Sequence, residues 1–364
     1  MVYVHVPFCR SFCVYCDFYS EIACRGRDAG LLNAYLDELC GEIDSRRAEI
    51  GPTLGTNTLY IGGGTPSVLP PPAFERIAGT LGCGPFEEFT VEVNPEDIVE
   101  NGSGYVEALL GLGVNRFSMG VQSLDDGILK WMRRRHDAST ARRAFAVLRE
   151  AGAENVSIDL IFGLSQMSAR LLSGTLDAVC LMRPEHVSAY QLGIEEGSEL
   201  AGMVVDGRYA EAAEDSCAMQ YELICSRLRE AGYVHYEISN WALPGFEAKH
   251  NSAYWSRVPY VGFGPGAHSF DGVRRSWNSS RLSGWTRSGE LLGAAEAREE
   301  DIMLGLRTAR GIPAGWCREE DLRRCLSDGS LVPVRQAPDG SGPDRVRIPE
   351  SHWFVSDDII AELI

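Results

Sequence analysis

No stretch of the 364 residues is apolar for long enough to cross a bilayer, so any membrane contact is expected to be peripheral. No charged-then-apolar leader precedes the first strand-like segment, which begins at Val2. Basic charge is scarce: 34 Lys and Arg stand against 51 Asp and Glu, a formal net charge of −17. Such a chain lacks the basic face that bulk nucleic-acid binding needs. A local basic pocket is still allowed, and the run Arg133, Arg134, Arg135 reads either as one or as a solvated helix face. There is no solenoid-type repeat and no low-complexity tract. Cysteine is present, but its 11 copies are odd in number and scattered, which argues against a disulfide framework and for a reducing cytoplasm. Cys24, Cys40, Cys83, Cys180, Cys217, Cys225, Cys317 and Cys325 read as small buried or incidental residues.

What is present is ordinary globular composition, 45% hydrophobic and 23% charged, enough for one large unit and a smaller one. Apolar strand-like runs at residues 2–6, 58–61, 89–93, 116–121, 156–162 and 187–192 alternate with helical patterns at 31–47, 74–81, 105–112, 140–151 and 169–182. Parallel strands need crossover helices, so the alternation predicts an α/β fold with a parallel sheet. Every run ends in a polar or glycine-rich turn. Functional residues spread over many strand ends fit a barrel better than a doubly wound sheet with one switch point. Six units are too few to close eight strands, so the expected fold is a partial (βα)6 barrel. Prolines 70–72 read as a loop stop before a helix. An amphipathic stretch at 211–231 leads to a strand at 236–241. A helical run at 299–312 and a turn-rich APDGSGPD segment at 337–344 between apolar runs suggest a small C-terminal α+β domain, winged-helix-like, with a hairpin. The expected units are 1–235, a connecting segment 236–295, and 296–364.

The first strand is followed by Cys9, Cys13 and Cys16 in the spacing CxxxCxxC. Three thiolates on one short loop can ligate three irons of a 4Fe–4S cluster and leave the fourth iron open to a ligand. A zinc site recruiting His5 as a fourth ligand competes with this reading, as do three unrelated buried cysteines.

In its context, YVHVPFCRSFCVYCDF, the triplet resembles the radical S-adenosylmethionine (SAM) superfamily. It is most similar to the branch that holds oxygen-independent coproporphyrinogen oxidases and HemW-like heme chaperones, and the likeness runs over nearly the whole chain. The resemblance implies that SAM chelates the open iron and that one electron from the reduced cluster can break its sulfonium bond, with an electron donor as a partner. It implies SAM contacts from Tyr3 and Tyr15, from the loop Gly62, Gly63, Gly64, Thr65, and from Glu92, Gln122, Arg134, Asp159 and Gly193. Glycine backbone can approach a ligand closely, and Glu92 can pair with an ammonium group. Read without the resemblance, these residues are a turn, core aromatics, a surface arginine and a strand-end cap. The chain departs from the usual GLPGQT after the fifth strand, reading GLSQMS at 163–168.

Within the branch, Phe18 stands where the oxidases carry a fourth cysteine, and the first cysteine is already residue nine, without the oxidases' longer leading segment. Both features argue against decarboxylation of coproporphyrinogen. The segment HNSAYW, with His250, Asn251, Tyr254 and Trp255, resembles the HemW signature. A histidine can ligate heme iron and two aromatic rings can lie on a porphyrin; a structural corner is the other reading. His186 and His268 serve as comparison histidines. The implied function is heme binding and delivery to an apoprotein, with 4Fe–4S, SAM and heme as cofactors; the alternative is an enzyme acting on a porphyrin.

Overall fold

The computed structural model describes residues 1–16, 19–22, 29–51, 56–334 and 345–364. Phe18, Cys24 and the predicted turn at 337–344 lie outside the described residues. Six strands alternate with helices from the N-terminus: Val2–Val6, Thr58–Gly63, Glu88–Val93, Arg116–Gln122, Val156–Phe162 and His186–Gln191. Each pairs in parallel with the next, so sheet order follows chain order. A doubly wound sheet would reverse direction at a switch point. Several strands alternate apolar residues, packed against the helices, with polar ones on the other face. Val4, Ile61, Val91, Met119, Ile158 and Val187 share one buried cluster with Ile77, Leu109, Leu148 and Leu176 from the intervening helices.

The sheet has nine strands, three more than the alternation predicts. Val261–Phe263 joins in parallel beside Val2–Val6. At the far edge Asn240–Ala242 pairs antiparallel with His186–Gln191 and with Val234–Glu237. The two edges do not pair with each other, so the barrel stays open. The single strand expected at 236–241 is thus two short strands. The Glu237 carboxylate turns the chain by accepting from the Ser239 amide at 3.2 Å and from the Asn240 side chain. A cut at residue 235 falls inside Val234–Glu237.

The proline run also behaves differently from expectation. Pro71 opens the helix Pro71–Leu81, where a missing amide costs nothing. Beyond the barrel lie the sheet His268–Phe270, Arg274–Asn278, Arg287–Leu291 and the helix Ala294–Leu306. The C-terminal part adds a three-stranded sheet in which Val332–Val334 and Arg345–Arg347 pair antiparallel, with the helices Glu319–Asp328 and Ser356–Ala361. Among the described residues no helix is long and apolar enough to cross a membrane.

Candidate functional site

The C-terminal ends of the barrel strands surround a cavity of about 380 Å³. Cys9, Cys13 and Cys16 line it, and Tyr15, Gly63, Gly64, Thr65, Glu92, Gln122, Arg134, Asp159 and Gly193 line it with them. Residues from seven segments of chain therefore share one wall because parallel strands all end on the same side.

The cysteine loop is tied to two other strand ends. Thr65 Oγ1 donates to Cys9 Sγ at 3.3 Å, and the Asn94 side-chain amide donates to Thr65 Oγ1 at 3.2 Å. The Arg134 guanidinium lies 3.5 Å from Cys13 Sγ and donates at 2.7 Å both to Asn94 Oδ1 and to the Gly120 carbonyl. Burial works against the charge of Arg134, but Tyr15 and Cys13 beside it hold the guanidinium protonated. Its Nε has no hydrogen-bond partner, although it is buried.

The glycine loop has little room for anything else. A Cβ on Gly64 would lie 2.7 Å from the Phe8 carbonyl. Gly63, at φ +113°, would put one 2.7 Å from the His5 ring. His5 in turn holds the Tyr19 carbonyl through Nε2 at 2.9 Å and the Tyr3 hydroxyl through Nδ1 at 3.1 Å. Both ring nitrogens of His5 are occupied, and it does not line the cavity with the three cysteines.

Glu92 lines the cavity beside the glycine loop. Its carboxylate accepts from the Tyr60 hydroxyl at 2.7 Å and from the Gly63 amide at 3.0 Å. Burial pushes it up to about 7, and Asp159 adds to the effect. Asp159 is raised by the same desolvation, although the Ser118 hydroxyl donates to it at 3.0 Å. Arg116 acts on Asp159, whereas no cation offsets the burial of Glu92, which suits that carboxyl to a positively charged ligand. Gln122 follows a slip in strand register after Gly120 and takes φ 65°, a conformation uncommon for a side-chain-bearing residue.

Some expected residues do not reach this wall. Tyr3, Gly62, His250, Tyr254 and Trp255 do not line the cavity, whereas Asn251 does. Tyr3 stacks on Tyr60 behind the wall, 6.1 Å between centroids. A Cβ on Gly62 would meet the Glu92 carboxylate at 2.9 Å, so that glycine makes room for Glu92. His250 is buried: Thr58 Oγ1 bonds Nδ1 at 2.8 Å and the Tyr254 hydroxyl bonds Nε2 at 3.0 Å. Desolvation lowers its pKa to about 3, so the ring is neutral. Conversely, Tyr60, Asn94, Arg116, Ser118 and Tyr190 line the cavity and the sequence reading passed over them. The signal was there: Tyr60, Glu92, Ser118, Asp159 and Ser188 are polar positions inside otherwise apolar strands, so they mark one inward-facing polar layer.

A parallel partial barrel whose strand ends gather three cysteine thiols, a glycine loop and buried carboxyls around one cavity is the architecture of a radical SAM protein. The Radical SAM superfamily model matches residues 3–179. The chain is 35% identical over 353 residues to the heme chaperone HemW of Mycobacterium tuberculosis, covering 91% of this chain and 88% of that one. It is 34% identical over 322 residues to the heme chaperone HemW of Lactococcus lactis, covering 85% and 82%. The chain belongs to the HemW family of the radical SAM superfamily. Among solved structures, the coproporphyrinogen III oxidase HemN of Escherichia coli superposes with a TM-score of 0.79 at 20% identity, over 99% of this chain and 89% of that one, a likeness of fold. Membership of the superfamily implies a 4Fe–4S cluster and SAM.

Proposed function

We propose that this protein is a heme chaperone: it binds heme and hands it to an apoprotein, and its barrel carries a 4Fe–4S cluster and SAM that serve that transfer. The observation that carries the reading is the identity to HemW proteins over nearly the whole chain, joined to a cavity that fits the cluster and SAM. Cys9, Cys13 and Cys16 would hold the cluster. Arg134 would stand beside Cys13 as a fixed positive charge, which suits an anionic group entering the cavity. When bound, the cluster supplies an open iron and an electron to SAM. Glu92 and the 62–65 loop would hold the amino-acid end of SAM, with Tyr15, Gln122, Asp159 and Gly193 along the rest of the molecule. Heme would be ligated by His250, with Asn251, Tyr254 and Trp255 beside it. That assignment requires the imidazole to leave Thr58 and Tyr254, since both nitrogens are held in this conformation. The cytoplasm is the proposed compartment.

The test is anaerobic reconstitution followed by transfer. About four irons and four sulfides per chain, lost on changing Cys9, Cys13 and Cys16 to Ala but kept with Cys83→Ala, support the cluster assignment. Unchanged heme must then move from the loaded protein to an acceptor. Conversion of coproporphyrinogen at catalytic turnover, or failure to bind heme at all, would overturn the reading.

A further inference from the structure

Far along the chain from the cysteine triplet, three residues that the sequence left unconnected converge. Cys225 stands in the helix Glu214–Glu230, His235 in the edge strand Val234–Glu237, and Glu350 at the start of the short helix Glu350–Val355. Their ligand atoms all lie within 4.8 Å of one another. Cys225 Sγ is 3.9 Å from His235 Nδ1, and Glu350 Oε1 is 3.0 Å from the same nitrogen. A tetrahedral zinc with its usual bond lengths sets such pairs about 3.4–3.6 Å apart, so the two pairs through His235 need shifts of a few tenths of an ångström and Cys225 and Glu350 must close by about an ångström. Cys225 thus has neighbours of a kind that incidental cysteines lack.

The imidazole is fixed for this role. Its Nε2 lies 3.4 Å from the Ile238 carbonyl. A proton on Nε2 donated to that carbonyl leaves the Nδ1 lone pair aimed at the thiol and the carboxylate. That second contact is the usual way a protein orients a metal-binding histidine. The ring is stacked on Trp241, with centroids 4.0 Å apart at 14°, and meets the edge of Trp353 at 4.3 Å, so it cannot turn away. Without an ion, a proton on Nδ1 donates to Glu350 at 3.0 Å, and zinc would take the place of that proton as the ring shifts to the other tautomer. Thiolate, imidazole and carboxylate together suit zinc. Glu350 is partly exposed, which gives an ion a way in, and its second oxygen is held by Arg229 at 2.8 Å.

We infer that Cys225, His235 and Glu350 form a zinc-binding site that clamps the C-terminal segment onto the barrel edge. The fourth position falls to water. Binding displaces the Cys225 proton to solvent, and the thiolate, carboxylate and zinc charges then cancel.

The protein to test is the cluster-loaded full chain, in which the Cys9, Cys13 and Cys16 thiols are occupied. Incubation with zinc, then gel filtration and metal analysis, should retain about one zinc per chain beyond the iron. Cys225→Ser and His235→Ala should lose it while keeping the iron. Should either variant fail to fold, Glu350→Gln alters only a partly exposed group and should weaken zinc at least tenfold. Cobalt in place of zinc should add thiolate-to-metal absorption that Cys225→Ser removes, and removing zinc with a chelator should lower the melting temperature of wild type only. Zinc absent from the loaded wild type would overturn the site and leave a His235–Glu350 hydrogen bond. Zinc retained in Glu350→Gln and Cys225→Ser alike would place it elsewhere and overturn the site equally.

Discussion

Glu92 is the residue whose chemistry is set most clearly by its surroundings. Burial lifts its carboxyl to about 7, and the Tyr60 and Gly63 donors offset only part of that cost. A raised carboxyl binds its proton more tightly in the folded chain, so its contribution to stability is full below the ordinary value near 4.5 and is lost as pH rises through about 7. The ammonium of SAM needs the ionised form. SAM affinity, read from the change SAM makes in the EPR spectrum of the reduced cluster, should therefore rise as pH passes through 7. Glu92→Gln should flatten that profile and weaken SAM, with iron content unchanged; a wild-type affinity independent of pH would show that Glu92 does not meet the ammonium. His250 gives a second prediction with an unusual sign. Tyr254→Phe removes the hydrogen bond on Nε2, worth about 0.5–1.5 kcal/mol, and so lowers the cost of releasing the imidazole. Heme affinity should increase about two- to tenfold in Tyr254→Phe and fall in His250→Ala, as read by Soret titration. If Tyr254 instead holds heme through its hydroxyl, Tyr254→Phe will weaken binding.

At the scale of elements, the loop at 163–168 departs from the family's usual sequence, and the structure shows what holds it. Gln220 from the helix Glu214–Glu230 accepts from the Gly163 amide at 2.8 Å and donates to the Met167 carbonyl at 3.1 Å. Tyr209 accepts from the Ser165 amide at 3.1 Å. Gln220→Ala would leave two buried backbone groups unpaired, each costing about 1–3 kcal/mol. A clear fall in melting temperature with unchanged iron content is expected, and an unchanged melting temperature would mean that the loop supports itself. Such a tie was invisible in the sequence, because a glutamine on an amphipathic helix carries no sign of the loop it faces. The barrel strands were legible to within two residues at each end, since apolar runs closed by polar turns leave few alternatives. The edge strands were not: Val261–Phe263 is three residues long and its pairing with Val2–Val6 joins segments some 260 positions apart. The cysteine triplet stood out by its spacing, which left a zinc site open beside the cluster until the surrounding sequence was compared with the radical SAM superfamily. The cavity wall needed the register, as when Glu92 falls opposite Ser118 and Asp159 opposite Ser188.

Over the whole molecule, the proposed heme ligand and the proposed SAM site meet at one side chain. The Tyr60 hydroxyl donates to Glu92 at 2.7 Å, while the Tyr60 ring lies 5.1 Å from the His250 ring, tilted by 35°. Tyr60 sits in the strand Thr58–Gly63, whose first residue bonds His250 Nδ1 and whose last donates its amide to Glu92. Moving His250 out to heme would remove a packing partner of Tyr60 and a hydrogen-bond partner of Thr58 at once. Both changes act on the strand that orients Glu92, so heme and SAM should alter each other's affinity by the same factor, as linkage requires. SAM titrations with and without bound heme should differ several-fold in wild type, and heme titrations with and without SAM should return the same ratio. Tyr60→Phe keeps the ring but cuts the link to Glu92, and should bring the ratio towards one while each ligand still binds. Equal SAM affinities with and without heme in wild type would mean that the strand does not transmit the change. Unequal affinities that persist in Tyr60→Phe would place the coupling on the Thr58 path instead.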